Sequence, residues 1–377
     1  SNCGSSVVFS HLMTRMAGLH RTRLGAILVH AFLIALWTLG GVFVAVTCAG
    51  MAYYTYGLSF FIFGATALPR ESRQQRLWVI ACLALYVVQG PRHRSEHSFV
   101  RYWCCLAWLS CMCFATWFHR FKTRPGFVKL IQDLDPSKYY NGRLRLHGAL
   151  DDIRKEGSIF AFHPHGIMAG GFTLNGVFSK DFHEHAGPET QFLCDKVLRD
   201  DNPFFKVMCD VHGGIDTLDK KNFLRIMGRK QNVAFVPGGF EDATLMAFGK
   251  HRTCMKKRAG FIKYALMNGC RVHPIYTFGE TSCYHTYTGA LKFRLWLNTF
   301  GIPAVLFWGL PQFPLLPRPD ASLVTVVGSA IEMPLIKDPS EKDVKKWHLI
   351  YCEKLTELFE KHKHQAGLSD KDRLEIA

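Results

Sequence analysis

The chain has 377 residues, with 46 Lys+Arg against 30 Asp+Glu, a formal net charge of +16, charged residues at 20% and Phe, Trp and Tyr at 13%. That much apolar matter excludes a disordered or low-complexity chain, and 13 cysteines over this length argue against a small disulfide-stapled scaffold. The length suits one large domain or two ordinary ones, with ample core.

The charge is divided unevenly. Residues 1–120 hold ten Arg, no Lys and only two acids, Glu71 and Glu96, whereas residues 121–377 carry an ordinary soluble-domain mixture of both signs. The boundary expected from this shift lies near residue 120, after a short cytosolic arm over 1–23 and membrane segments over 24–120. Residues Leu24 to Pro69 contain no charge. The run is too long for one crossing of about 20 residues, so it predicts helices over 24–46 and 52–68 with a turn between. Arg15, Arg21 and Arg23 precede the run, and Arg70, Arg73 and Arg76 follow it. Both clusters favour the cytosolic side, which an even number of crossings permits. Residues 77–88 read as a partial segment and 103–117 as an interfacial one, although 52–68 and 77–88 could instead form the hairpin. The apolar stretch is too long for the core of a cleaved signal peptide. Cys104, Cys105, Cys111 and Cys113 sit in an apolar run and read as small buried hydrophobes rather than metal ligands.

Beyond residue 120, strand and helix patterns alternate. Short apolar runs at 158–162, 232–236, 272–278 and 323–327 predict strands. Residues 257–267 predict a helix stopped by Asn268-Gly269. Residues 341–363 predict another, with Ser340 as N-cap and Asp343 three positions on. Its residues Val344, Trp347, Tyr351, Leu355, Leu358 and Phe359 fall on one face. The predicted class is α/β, a mainly parallel sheet flanked by helices and preceded by transmembrane helices.

Ligands of parallel sheets sit beyond the carboxyl ends of the strands. Two turns emerge there: His163-Pro164-His165-Gly166 after the first predicted strand, and Pro237-Gly238-Gly239-Phe240-Glu241 after the second. A histidine beside a carboxylate is a general base, because the carboxylate fixes the tautomer and stabilises the imidazolium. Pro164 fixes the backbone between the two imidazoles. Gly166, Gly170, Gly171, Gly238 and Gly239 let the chain pass close to a substrate, and their N–H groups are candidates for holding an oxyanion. Each turn also reads as a plain surface loop. His163 and His165 also read as a metal pair, but no third or fourth ligand stands at recognisable spacing, so no metal is assigned. No serine-hydrolase elbow and no nucleotide-binding glycine loop occurs.

These motifs resemble the type 2 diacylglycerol acyltransferases and their monoacylglycerol and wax-alcohol relatives. FHPHG at 162–166, PGGFEDA at 237–243, RAGFIKYALMNG at 258–269, PIYTFGE at 274–280, VTVVGSAIEMP at 324–334 and YCEKLTELFEKHK at 351–363 follow the family's order. The resemblance runs from about residue 90 to the end. It implies a glycerol-phosphate-acyltransferase-like fold in the endoplasmic reticulum membrane, with the domain on the cytosolic face or at a lipid droplet. It implies acyl-CoA as co-substrate, no cofactor, and diacylglycerol, monoacylglycerol or a long-chain alcohol as acceptor. His165 is then the base, His163 a supporting residue because some members replace the first histidine by Glu, and Glu241 the orienting carboxylate. Relatives that use His-x4-Asp have no match here, since Met168 and Gly170 occupy those places, so Glu241 would have to replace that Asp. Ala259 stands where the family has Lys. Lys256, Lys257, Arg258 and Lys263 nearby are candidates for binding acyl-CoA phosphates, or a solvated helix face. Glu280 is a site residue or a strand-end polar residue. Residues 301–317 carry four prolines and so form no spanning helix; they read as a lipid-admitting loop or a buried wall. Membrane lipid is an expected partner, a homo-oligomer remains open, and nucleic acid is discounted because no basic run is interleaved with aromatics. A metal-dependent hydrolase and an inactive membrane scaffold are the rival readings.

Overall fold

A computed structural model describes residues 23–36, 119–140, 145–299 and 304–377, with positions 38, 103 and 107 besides. The strands, in chain order, are β1 Arg145–Gly148, β2 Ser158–His163, β3 Gln191–Cys194, β4 Ile215–Thr217, β5 Val233–Phe235 and β6 Arg252–Thr253. They continue as β7 Arg271–Phe278, β8 His285–Thr286, β9 Phe307–Trp308, β10 Val324–Val327, β11 Ile331–Glu332 and β12 Glu375–Ile376. Helix α1 covers residues 23–36. It is followed by α2 Pro125–Asp133, α3 Lys180–Ala186, α4 Pro203–His212, α5 Lys220–Gly228, α6 Gly239–Leu245, α7 Gly260–Asn268, α8 Leu291–Asn298 and α9 Glu341–His362.

An eight-stranded sheet of order β1-β10-β7-β2-β5-β3-β4, with β11 beside β7, forms the middle layer. Every neighbour pair is parallel except β10 and β11 against β7. Helices cover both faces, so the central strands read as unbroken apolar runs. The period-two alternation of β2 assigns the two layers. Ile159 and Ala161 face a core built with α5, α7 and α9. Phe160 and Phe162 face another built with α2, α3 and α4. His163 is in phase with Ile159 and Ala161, which points it toward α9. The four strands and two helices expected beyond residue 120 are all present. The capping box of Ser340 and Asp343 forms as its spacing predicts.

The expectation of N-terminal transmembrane helices is not supported. Among the described residues no helix is long and apolar enough to cross a membrane. The described part of 24–46 is α1, whose inner face is occupied: Ala26, Val29, His30 and Ile34 are buried, and the His30 ring stacks on Tyr139 with centroids 4.2 Å apart. The arm over 1–23 except position 23, the segments 52–68 and 77–88, and all of 103–117 except positions 103 and 107 lie outside the described residues.

Candidate active site

Parallel pairing brings the two motif turns to one edge. Strand β2 lies between β5 and β7, with Ala161 opposite Phe235 and His163 opposite Tyr276. All three strands run the same way, so His163, Pro237 and Glu280 leave the sheet at its carboxyl edge. The His163–Pro164 bond is cis.

The two histidines have different surroundings. His163 is fully buried and both ring nitrogens are bonded: Nδ1 to Thr253 Oγ1 at 3.0 Å and Nε2 to the Tyr351 hydroxyl at 2.8 Å. Burial lowers its pKa to about 3, so the ring is neutral. The Thr253 hydroxyl donates its single proton to Asp242 Oδ2 at 3.1 Å. His163 must therefore donate through Nδ1 and accept from Tyr351 through Nε2. The result is a directed chain from Tyr351 through His163 and Thr253 to the Asp242 carboxylate.

His165 is half-buried, and its Nδ1 lies 3.1 Å from the carbonyl of Gly166. A carbonyl only accepts, so this contact selects the Nδ1–H tautomer and leaves the Nε2 lone pair for a substrate. The backbone N–H of His165 donates to Asp242 Oδ2 at 3.2 Å. Asp242 is 4% exposed and also accepts the backbone N–H of Cys254. Burial raises its pKa, while the N–H groups of Cys254 and His165, the nearby His165 ring and the Thr253 hydroxyl pull it back.

Glu241, the carboxylate expected beside the base, does not hold that place. It forms an ion pair with Arg258 at 2.7 Å and accepts weakly from Cys254 Sγ at 3.7 Å, with its side chain partly open to solvent. The residue after it faces the motif instead, because α6 begins at Gly239 and its turn carries Asp242 inward. Gly238 is a condition of that placement, since a Cβ there would collide with the Asp242 carboxyl group.

Glu280, read from sequence as a site residue or a strand-end polar residue, packs against the glycines that follow the first motif turn. It is 2% exposed and accepts the N–H groups of Gly170 at 2.9 Å and Gly171 at 2.7 Å. A Cβ on Gly166, whose φ is +60°, would strike the same carboxylate. Burial raises the Glu280 pKa to about 7 against the lowering effect of the two N–H groups. The reading of Gly170 and Gly171 as oxyanion donors is corrected accordingly, because their N–H groups are already committed to Glu280. Gly239, with φ +56°, starts α6 and has open space around its Cα.

Of the four basic candidates, Arg258 touches a motif turn, through Glu241. Lys257 is exposed. Lys256 and Lys263 line a groove of about 990 Å³ whose remaining wall comes mainly from α9, with Ala259 between them. No residue of the two motif turns lines that groove. Among the described residues no cluster of His, Cys, Asp and Glu is arranged to hold a metal ion.

Reading the sequence missed Asp242, Thr253 and the polar role of Tyr351. The first stood beside a more obvious candidate. The second is an unremarkable residue 90 positions from its partner. The third sits on the apolar stripe of α9, where its ring packs on Phe261 while its hydroxyl reaches His163.

A family model described as diacylglycerol acyltransferase matches residues 101–377. The chain is 32% identical to Diacylglycerol O-acyltransferase 2 of Dictyostelium discoideum over 235 residues, which is 59% of this chain and 71% of that protein. It is 32% identical to Acyl-CoA wax alcohol acyltransferase 1 of Mus musculus over 238 residues, 58% of this chain and 70% of that protein. Acyl-CoA wax alcohol acyltransferase 1 of Homo sapiens is 28% identical over 301 residues, 75% of this chain and 81% of its own length. No solved structure matches.

Proposed function

The chain belongs to the diacylglycerol acyltransferase family, and from that premise we propose that it moves a fatty acyl group from acyl-CoA to the hydroxyl of diacylglycerol, making triacylglycerol. The observation that carries the mechanism is the tautomer of His165: Nδ1–H turned to the Gly166 carbonyl, Nε2 free, and a buried carboxylate holding the backbone beneath. His165 Nε2 takes the proton of the acceptor hydroxyl as its oxygen attacks the thioester carbonyl. The tetrahedral intermediate collapses, the C–S bond breaks, and CoA thiolate leaves and recovers the proton from the imidazolium. No acyl-enzyme forms, and acyl-CoA is a co-substrate in a reaction that calls for no further cofactor. Asp242 takes the orienting part: its charge favours the imidazolium, and its bond to the His165 N–H fixes the turn.

A second acceptor class is kept for one reason. The relatives at comparable identity include proteins named wax alcohol acyltransferases. A long-chain alcohol or monoacylglycerol would meet the same base by the same steps. An endoplasmic reticulum or lipid-droplet membrane is the proposed location, since both acceptors live in membranes. The test is the wild type and His165→Ala in a host lacking neutral-lipid synthesis, given labelled oleoyl-CoA with diacylglycerol, monoacylglycerol or fatty alcohol. Label in triacylglycerol that vanishes in the variant supports reaction and base together. Label in another ester moves the acceptor, and no ester from folded protein overturns the reading in favour of a scaffold.

A further inference from the structure

From Thr281 to Pro319 the chain has no acidic residue and only three bases, Lys292, Arg294 and Arg318. This stretch builds an apolar surface. On α8, Phe293 is 57% and Trp296 53% exposed, with their rings stacked at 5.7 Å. On and beyond β9, Leu306 is 66%, Trp308 45% and Phe313 65% exposed. The segment that reads from sequence as a lipid-admitting loop or a buried wall is therefore no buried wall over its described part.

The pieces are fixed to one another and to the site. Arg294, buried beneath the aromatic pair, donates to the carbonyls of Gly289, Thr244 and Ala304, tying α8 to the β9 approach and to α6. Asn298 donates to Phe240 O and Thr244 Oγ1 on α6, the helix that carries Asp242. Strands β8 and β9 pair His285 with Trp308, and Phe248 stacks on His285 at 4.1 Å. Helix α1 joins the same cluster: Ala26 packs with Tyr284 and Leu323, and Phe307 packs against them. Its outer face leaves Leu24, Leu28 and Phe32 exposed at four-residue spacing.

We propose that α8, the β8–β9 hairpin and the outer stripe of α1 form one surface that seats in the interface of a phospholipid bilayer. Three observations select lipid over a protein partner. The exposed groups are Trp and Phe with aliphatic neighbours, the composition of an interfacial belt. The flanking exposed charges are Lys250 and Lys292, while Asp320 is taken up by Arg318, so the surface suits anionic headgroups. The surface also spans three separate chain elements, α1 and the β8–β9 hairpin joined through one packed cluster and α8 tied to the β9 approach by Arg294, giving more breadth than a single groove. The placement deepens the acyltransferase reading, because the acceptor would enter α6 and the His165 turn directly from the bilayer.

The test uses the full chain, as wild type and as a Trp296→Phe, Trp308→Phe double variant. The difference in tryptophan emission isolates these two residues. Vesicles of phosphatidylcholine and phosphatidylserine carrying bromine at the upper acyl carbons are expected to quench that difference about twofold while blocking aqueous iodide. A difference emission untouched by bromolipid and open to iodide overturns the proposal, as does iodide protection that appears without vesicles and grows with protein concentration, which would mark a second copy. Phe313→Glu supplies a second readout. It is expected to raise the apparent KM several-fold for acceptor in vesicles and leave KM for detergent-dispersed acceptor unchanged; equal KM in both overturns the placement. Bromolipid quenching in a protein that esterifies no acceptor would keep the surface and overturn the acyltransferase reading instead.

Discussion

The Asp242 carboxylate accepts the backbone N–H of His165 at 3.2 Å, and the same oxygen receives the Thr253 hydroxyl that leads back to His163. One buried carboxylate thus holds the His165 turn directly and His163 through a single hydroxyl. Asp242→Asn keeps the size and removes the charge. It is expected to lower kcat by about tenfold or more with a small change in KM. Glu241→Gln loses only a partly solvated ion pair, worth about 0–1 kcal/mol, and is expected to retain most of the activity. Steady-state kinetics of both variants with acyl-CoA and diacylglycerol decide between the two carboxylates.

The two histidines should fail differently. His165→Ala removes a half-buried ring whose Nε2 is reserved for substrate, so the protein should fold and lose about 10²-fold or more of its rate. His163→Ala strands the Tyr351 hydroxyl in the core and takes away the donor to Thr253 Oγ1. Its expected cost is about 2–4 kcal/mol of stability, seen as a lowered Tm before any kinetic effect. Equal Tm values for the two variants would contradict the assignment of roles.

Glu280 gives a pH signature. Its folded pKa is raised to about 7 from 4.5. Below 4.5 it is protonated in both states and its contribution is fully present. Between 4.5 and 7 the unfolded chain releases the proton while the folded one keeps it, so this contribution is lost as pH rises through 7. His163, lowered to about 3, acts oppositely, since its contribution is lost as pH falls below 6.5. The Glu280 term is therefore read as a difference: wild type minus Glu280→Gln should lose about 1–3 kcal/mol between pH 4.5 and 7.5 in denaturant melts. A flat difference would place the carboxylate in a more solvated setting.

Gly238→Ala tests the cradle without touching a charged group. The new Cβ would occupy the space of the Asp242 carboxyl group, so the turn must shift. The expected outcome is a fall in kcat similar to that of Asp242→Asn. Gly239→Ala has the free space that Gly238 lacks but a φ of +56°, and is expected to cost about 1 kcal/mol of stability with a smaller effect on rate. Comparing kcat with Tm across the pair separates displacement of Asp242 from backbone strain.

How far the sequence could be read follows from how local each feature is. Four central strands, the helices α7 and α9 and the capping box of Ser340 are written in short-range periodicity and turn chemistry, and they are legible. The meeting of His-Pro-His-Gly with Pro-Gly-Gly is legible too, because it needs only that two strands be parallel. Composition is silent at α1. A charge-free run reads alike whether lipid or a domain covers it, and only the structure shows Ala26 and His30 packed on the Tyr139 side.

The sequence by itself determined the chemistry on offer: an imidazole, nearby carboxylates and glycines at the carboxyl edge of a parallel sheet. Only the tertiary structure decided which carboxylate lies against the His165 turn. Glu241 and Asp242 are adjacent, and one residue along a helix turns a side chain by about 100°, enough to send one to Arg258 at the partly open edge and the other into the core beneath His165. Likewise Thr253, Tyr351 and Glu280 lie 90, 188 and more than a hundred residues from the groups they hold. Their roles rest on hydrogen bonds that exist only once the sheet has closed.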